Sequence, residues 1–144
     1  MSCACYRCRR GSEQKRFAES RLKDAQVLFR NRQFDGAYYL AGYAVECALK
    51  ACVAKKIKRY DFPDKDLALR VYTHNLTKLL EPAGVLRLSG PEIRTVPALD
   101  AKWGVVKDWN EQSRYEKQGR KKAKAMLDAV EGPQGILECI KEYW

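Results

Sequence analysis

The sequence predicts an all-helical fold. Apolar residues recur at the i, i+3, i+4, i+7 spacing of a helix rather than in strand-like alternation. Only five prolines interrupt 144 residues. The run from about Asp35 to Lys55 is apolar around more than half its circumference, the mark of a helix surrounded by others. A chain of this length fits one ordinary domain and buries roughly two-thirds of its unfolded surface without staples. Its composition, 46% hydrophobic and 32% charged, is that of a globular protein rather than a disordered one.

No stretch approaches the ~18 consecutive apolar residues of a membrane span. Residues 1–10 hold no apolar run of signal-peptide length. The expectation is a cytoplasmic protein with no membrane partner. Its net charge is +10, from 28 Lys and Arg against 18 Asp and Glu. That excess favours a polyanion partner, RNA or nucleotide first. A charge kept for solubility, or to match an acidic protein, would give the same balance.

Residues 1–11 read as a basic, unstructured, cysteine-containing leader, and residues 12–144 as the helical domain. Cys3, Cys5 and Cys8 form C-x-C-x-x-C, one ligand short of a closed zinc site. The only histidine, His74, is far away in sequence. The reading therefore calls for no metal and no cofactor. Cys47, Cys52 and Cys139 fall in helical segments, where free thiols behave as small buried hydrophobes.

Taken in order, Ser12 is a candidate N-cap for a first helix carrying Ala18, Leu22, Ala25, Leu28 and Phe29, ending near Asn31. A short connection from Asn31 to Gly36 turns the chain back, so the second helix runs antiparallel to the first. That second helix carries Ala37, Leu40, Ala41, Ala44, Val45, Ala48, Leu49, Cys52 and Val53 on its apolar faces. Gly42 in its interior costs roughly 1 kcal/mol against Ala and predicts a close helix crossing. Glu46 and Lys50, four residues apart, share a narrow strip with Tyr39. The strip is either a solvated stripe with an ordinary ion pair or a polar wall facing a cleft.

Residues 58–70 read as a polar connection. A third helix starts near Thr73 as N-cap and carries Leu76, Leu79, Leu80 and Ala83 before Pro82 and Gly84 end it. His74 then falls in its first turn, where free N–H groups attract anions. Residues 85–96 read as a loop. A fourth helix carries Leu99, Trp103, Val106 and Trp109 or Asn110, and ends before Arg114. A fifth carries Ala123, Met126, Leu127 and Val130. A last short helix follows Gly132, Pro133 and Gly135, with Ile136, Leu137, Ile140 and Trp144. The densest basic stretch is Arg114, Lys117, Arg120, Lys121, Lys122 and Lys124. It is either a solvated face or a phosphate-contacting stripe with Tyr115 and Trp109 available for base stacking.

Three segments together resemble one known family. The run Ala37-Tyr38-Tyr39-Leu40-Ala41-Gly42-Tyr43-Ala44-Val45-Glu46-Cys47-Ala48-Leu49-Lys50-Ala51 resembles the signature helix of HEPN domains. Thr73-His74-Asn75-Leu76-Thr77-Lys78-Leu79-Leu80 looks like that family's His-x-Leu helix start, and Ser113-Arg114-Tyr115-Glu116 like its Arg-Tyr motif. The matches run in family order over about residues 17–130.

The resemblance implies an antiparallel up-and-down bundle of four or five helices, often a homodimer, similar to the carboxy-terminal domain of kanamycin-type nucleotidyltransferases. It implies RNA or nucleotide as ligand and a toxin–antitoxin-like or defence setting, with a small nucleotidyltransferase as partner. Glu46, Lys50, His74, Arg114 and Tyr115 match signature positions. With Tyr39 they are expected to line one pocket, in which Lys50 and Arg114 hold phosphate while His74 and Glu46 orient it. Lys117, Arg120, Lys121, Lys122 and Lys124 are the expected nucleic-acid contacts.

Catalytic relatives are metal-independent ribonucleases with an Arg-x4–6-His motif. Here the arginine before His74 is Arg70, giving Arg-x3-His, one residue short of that motif, and no histidine follows Arg114. Three functions therefore stand side by side: an RNA or nucleotide binder, a ribonuclease in which the fold brings His74 and Arg114 together, and a non-catalytic adaptor that docks the nucleotidyltransferase.

Overall fold

A computed structural model describes residues 11–57 and 64–144. Among these residues every regular element is helical. The α-helices are α1 (Gly11–Arg30), α2 (Phe34–Lys56), α3 (Lys65–Val71), α4 (Leu76–Ala83), α5 (Pro97–Val106), α6 (Gly119–Val130) and α7 (Ile136–Lys141). Short 3-10 turns span Leu86–Leu88, Gly90–Thr95 and Glu111–Tyr115. No described helix is long and apolar enough to cross a membrane. The leader expected over residues 1–11, with Cys3, Cys5 and Cys8, lies outside the described residues except for Gly11. Ser12, expected as a cap, sits inside the first turn of α1.

α2 is the centre of the fold, as its apolar wheel predicts. It packs on α1, α4, α6 and α7 and on the Glu111–Tyr115 turn. Ala37, Ala41, Ala44, Ala48 and Ala51 are fully buried along it, as are Ala18 and Ala25 on α1. Such small side chains let helix axes approach closely. The α1–α2 turn is closed by Gln33 N donating to Leu28 O and Arg32 N to Phe29 O. This is the double bond of a Schellman cap, with Arg32 in the left-handed position at φ 61.

The close approach predicted at Gly42 is real, but its partner is not a helix. Trp109, in the link after α5, lays its indole on Gly42, so a Cβ there would meet the ring Cδ1 at 2.2 Å. Trp109 is 1% exposed and therefore cannot serve as a free stacking surface. It belongs to the core, tilted against Tyr39 with centroids 5.7 Å apart.

Three local expectations are corrected. The supposed connection over residues 58–70 contains α3, capped by Asp64 accepting from Asp66 N. Arg70 of α3 ties it to α4 by an ion pair with Glu81 at 3.0 Å. The expected loop over residues 85–96 is mostly 3-10 turn. The cap of α4 is Asn75, whose Oδ1 accepts from Lys78 N at 3.0 Å, not Thr73. Thr73 Oγ1 instead accepts from Asn75 N at 3.1 Å. His74 thus stands just outside the helix rather than in its first turn.

Cys47, Cys52 and Cys139 are buried. Burial pushes the Cys52 thiol up to about 11, against the opposing pull of Lys55, Lys15 and Lys56. Thiolates are the reactive form. Cys52 is expected to resist alkylation at pH 8 in the native protein and to react in denaturant, as residue-resolved mass mapping would show. Rapid native labelling would contradict the packing around α2 and α7.

Candidate functional site

One face of α2 organises the site. Asp35, Tyr39, Tyr43, Glu46 and Lys50 fall within a strip about 80° wide, because their spacings add to near-whole turns of a 3.6-residue helix. The strip lies opposite the alanine-lined side of the same helix. Each of its members is met by a different part of the chain.

At the start of α2, Asp35 Oδ1 accepts from Gln118 N at 2.7 Å and from Gly119 N at 3.4 Å. Asp35 therefore caps α6, a tie across 83 residues that nothing local in the sequence announces. One turn on, Tyr39 stacks on Tyr43, with centroids 6.1 Å apart and planes 7° apart. Arg114 hydrogen-bonds the Tyr39 hydroxyl. Burial, the largest influence, pushes that hydroxyl above its ordinary range, while the Arg114 charge and hydrogen bond pull it down and Glu46 pushes it up again.

Two turns further lies Glu46, only 2% exposed. Lys50 Nζ donates to its Oε1 at 2.6 Å. His74 Nδ1 lies 2.9 Å from Oε1 and 3.0 Å from Oε2. A carboxylate so buried is tolerated only when paired and hydrogen-bonded, and here both oxygens are engaged. The idea of a solvated stripe is thereby excluded: Glu46 is enclosed and the Lys50 side chain is 17% exposed. An ionised carboxylate only accepts, so His74 meets it with Nδ1–H, and in the neutral form of the ring the opposite nitrogen, Nε2, is the acceptor. The His74 side chain is 47% exposed, so the ring bridges the buried carboxylate and the surface.

The expected site residues thus fall into two linked groups. Glu46, Lys50 and His74 touch directly. Tyr39 and Arg114 form the second group, seven residues and therefore about 10 Å back along α2. Tyr115 follows on the same 3-10 turn, fully outside, with the Arg114 guanidinium 4.9 Å from its ring centroid. Trp109, offered as a second stacking ring, is in the core instead.

Lys117, Arg120, Lys121, Lys122 and Lys124 are all exposed around the start of α6. Lys124 is not a bare cation, because it pairs with Asp128 one turn later. Two surface grooves lie away from these groups. One, of ≈ 830 Å³, runs between α4 and α5 along Ile93, Arg94, Trp103 and Lys107. The other, of ≈ 420 Å³, lies on α1 beside Phe17. The Glu46 cluster is a rim feature rather than an enclosed pocket, and its chemistry, not its concavity, marks it. Among the described residues no His, Cys, Asp and Glu side chains gather in threes that could hold a metal ion.

The HEPN domain family model matches residues 12–143 of the chain. The chain belongs to the HEPN domain family. The match covers every helix described above except the first residue of α1. Comparison with curated proteins found no match, and comparison with solved structures found none either. HEPN membership supports a nucleotide- or RNA-related function in general. In this HEPN domain the polar residues of the α2 strip are those that meet His74, Arg114 and the start of α6.

Proposed function

We propose that this HEPN domain binds RNA or nucleotide through the rim that runs from His74 past Arg114 to the start of α6. The observation that carries the reading is the Glu46–Lys50–His74 cluster. A fold does not enclose a carboxylate with two basic partners on its central helix at no cost, and well-packed apolar residues would serve stability as well or better. The cluster presents Lys50 and the half-exposed His74 ring to an anion, and Arg114, from its 3-10 turn, meets the same helix at Tyr39, about 10 Å along the axis. The exposed cations of α6 continue the positive surface.

The wider setting is part of the same proposal. It comprises residues 1–11 as a leader before a domain at 12–144, an antiparallel up-and-down bundle, a twofold homodimer, a cytoplasmic location and a small nucleotidyltransferase partner in a toxin–antitoxin-like or defence system. A second reading, a metal-independent ribonuclease, is favoured by one observation: Glu46 holds His74 so that Nε2 can take a proton. An RNA cleavage assay of the wild-type protein and of His74→Ala separates the two, since His74 is the chain's only imidazole.

Binding through phosphate contacts releases counterions, so affinity for RNA is expected to fall by orders of magnitude between low and physiological salt. Replacing Lys121 and Lys122 with Ala is expected to weaken all RNA sequences alike and to lower the slope of log affinity against log salt by about one to two. Titrations of a labelled RNA at several salt concentrations check this. Absence of binding at low salt would remove nucleic acid from the reading.

A further inference from the structure

We propose that the exposed ring of Tyr115 is a nucleobase platform that makes this surface select single-stranded over duplex RNA. The proposal rests on the RNA-binding reading above and adds to it the form of RNA that fits. Tyr39 and Tyr43 are partly buried and stacked on each other, and Trp109 is covered. Among the described aromatics around Arg114, Tyr115 is the one turned out, 75% exposed; Tyr72, also exposed, lies at the other end of the rim beside His74.

Its presentation is built rather than incidental. The 3-10 turn that carries it begins at Asn110, whose Oδ1 accepts from Gln112 N at 2.9 Å. Ser113 is buried at the middle of the turn. Arg114 is fastened to the Tyr39 hydroxyl on one side and lies over the Tyr115 ring on the other. The ring is thus held by a guanidinium on one face and open elsewhere. A base stacked on it would bring its phosphates beside Arg114 and Lys117. Two carboxylates are near in sequence: Glu116 is turned back to accept from Gln118 Nε2 at 3.0 Å, and Glu111 stands at the far end of the turn.

Bases in a duplex are stacked on one another and offer no free face, whereas unpaired bases can be splayed onto an aromatic ring. The α2 strip sets the scale. Asp35, beside the α6 cations, and Lys50, beside His74, are 15 residues and so about 22 Å apart along the helix. A strand of a few nucleotides crossing Tyr115 would reach both ends.

Three labelled probes test this by fluorescence anisotropy at low salt: a short oligoadenylate, a strand of the same length with abasic riboses, and a duplex. Tyr115→Ala is expected to weaken oligoadenylate roughly five- to a hundredfold, the range of a lost base–aromatic stack. The same variant should leave the abasic strand and the duplex within twofold, and Tyr115→Phe should bind oligoadenylate like wild type. Equal losses on the abasic strand, or no loss on oligoadenylate, would overturn the platform while leaving RNA binding intact. A wild-type protein that binds none of the three probes overturns the RNA reading itself, and this inference with it.

Discussion

Trp109→Ala is expected to destabilise the domain by about 3–5 kcal/mol, the range for removing a buried large aromatic. Gly42→Ala should cost about 1–3 kcal/mol through overpacking, because its Cβ would sit 2.2–2.4 Å from three indole atoms. The two effects come from one contact and should not add. Once the indole is gone the space over residue 42 is free, and Ala is the better helix former by about 1 kcal/mol. Gly42→Ala should therefore turn from destabilising in the wild type to neutral or stabilising in the Trp109→Ala background. Urea unfolding of the four proteins reads this directly. The Trp109 Nε1–H has no acceptor among the described residues although it is buried. Trp109→Phe removes that donor, and for that reason should cost much less than Trp109→Ala. Additive costs for the double variant would mean that the indole and the glycine are not in contact.

The same contact shows where local reading of a sequence stops. Gly42 in an apolar helix announces that something approaches closely, because its weak helix propensity has to be offset by a gain elsewhere. It does not say what approaches, and Trp109 is 67 positions away. The wheel of α2 was legible because its periodicity is written within one segment. α3 was not, because seven residues with Leu69 exposed and only Val71 buried give no apolar stripe. Its cap at Asp64 and its tie from Arg70 to Glu81 look, in sequence, like the charges of a loop. At His74 the spacing pointed to Thr73 as the cap. The hydroxyl of Thr73 is spent on the Asn75 N–H, which leaves Asn75 to cap the helix. Glu46 and Lys50 could be paired from their spacing alone. Their third partner, His74, is 28 residues from Glu46 and is brought there by tertiary packing, which only the family resemblance anticipated.

The largest functional effect is expected at Glu46. Changing Glu46 to Ala leaves Lys50 without its anion in a mostly covered position and unfastens His74. Truncating one member of a buried charged pair costs about 3–5 kcal/mol, and Lys50, being partly exposed, recovers some of that by reaching water. A net loss of about 2–4 kcal/mol is expected in urea unfolding. Stability alone would not show whether the cluster is there for a ligand, since any enclosed ion pair behaves this way. The discriminating protein carries Met at both positions. Glu46→Met with Lys50→Met replaces the pair by apolar side chains of similar length, which in buried ion pairs is often neutral or stabilising. It should unfold close to wild type. If the cluster serves an anion, this stable protein has lost Lys50 as a phosphate partner and the carboxylate that orients His74. RNA affinity at low salt is then expected to fall at least tenfold, with the α6 cations supplying what remains. A double-Met protein that is stable and binds RNA as tightly as wild type would reduce Glu46, Lys50 and His74 to a structural ion cluster. RNA recognition would then belong to Tyr115 and the α6 face alone.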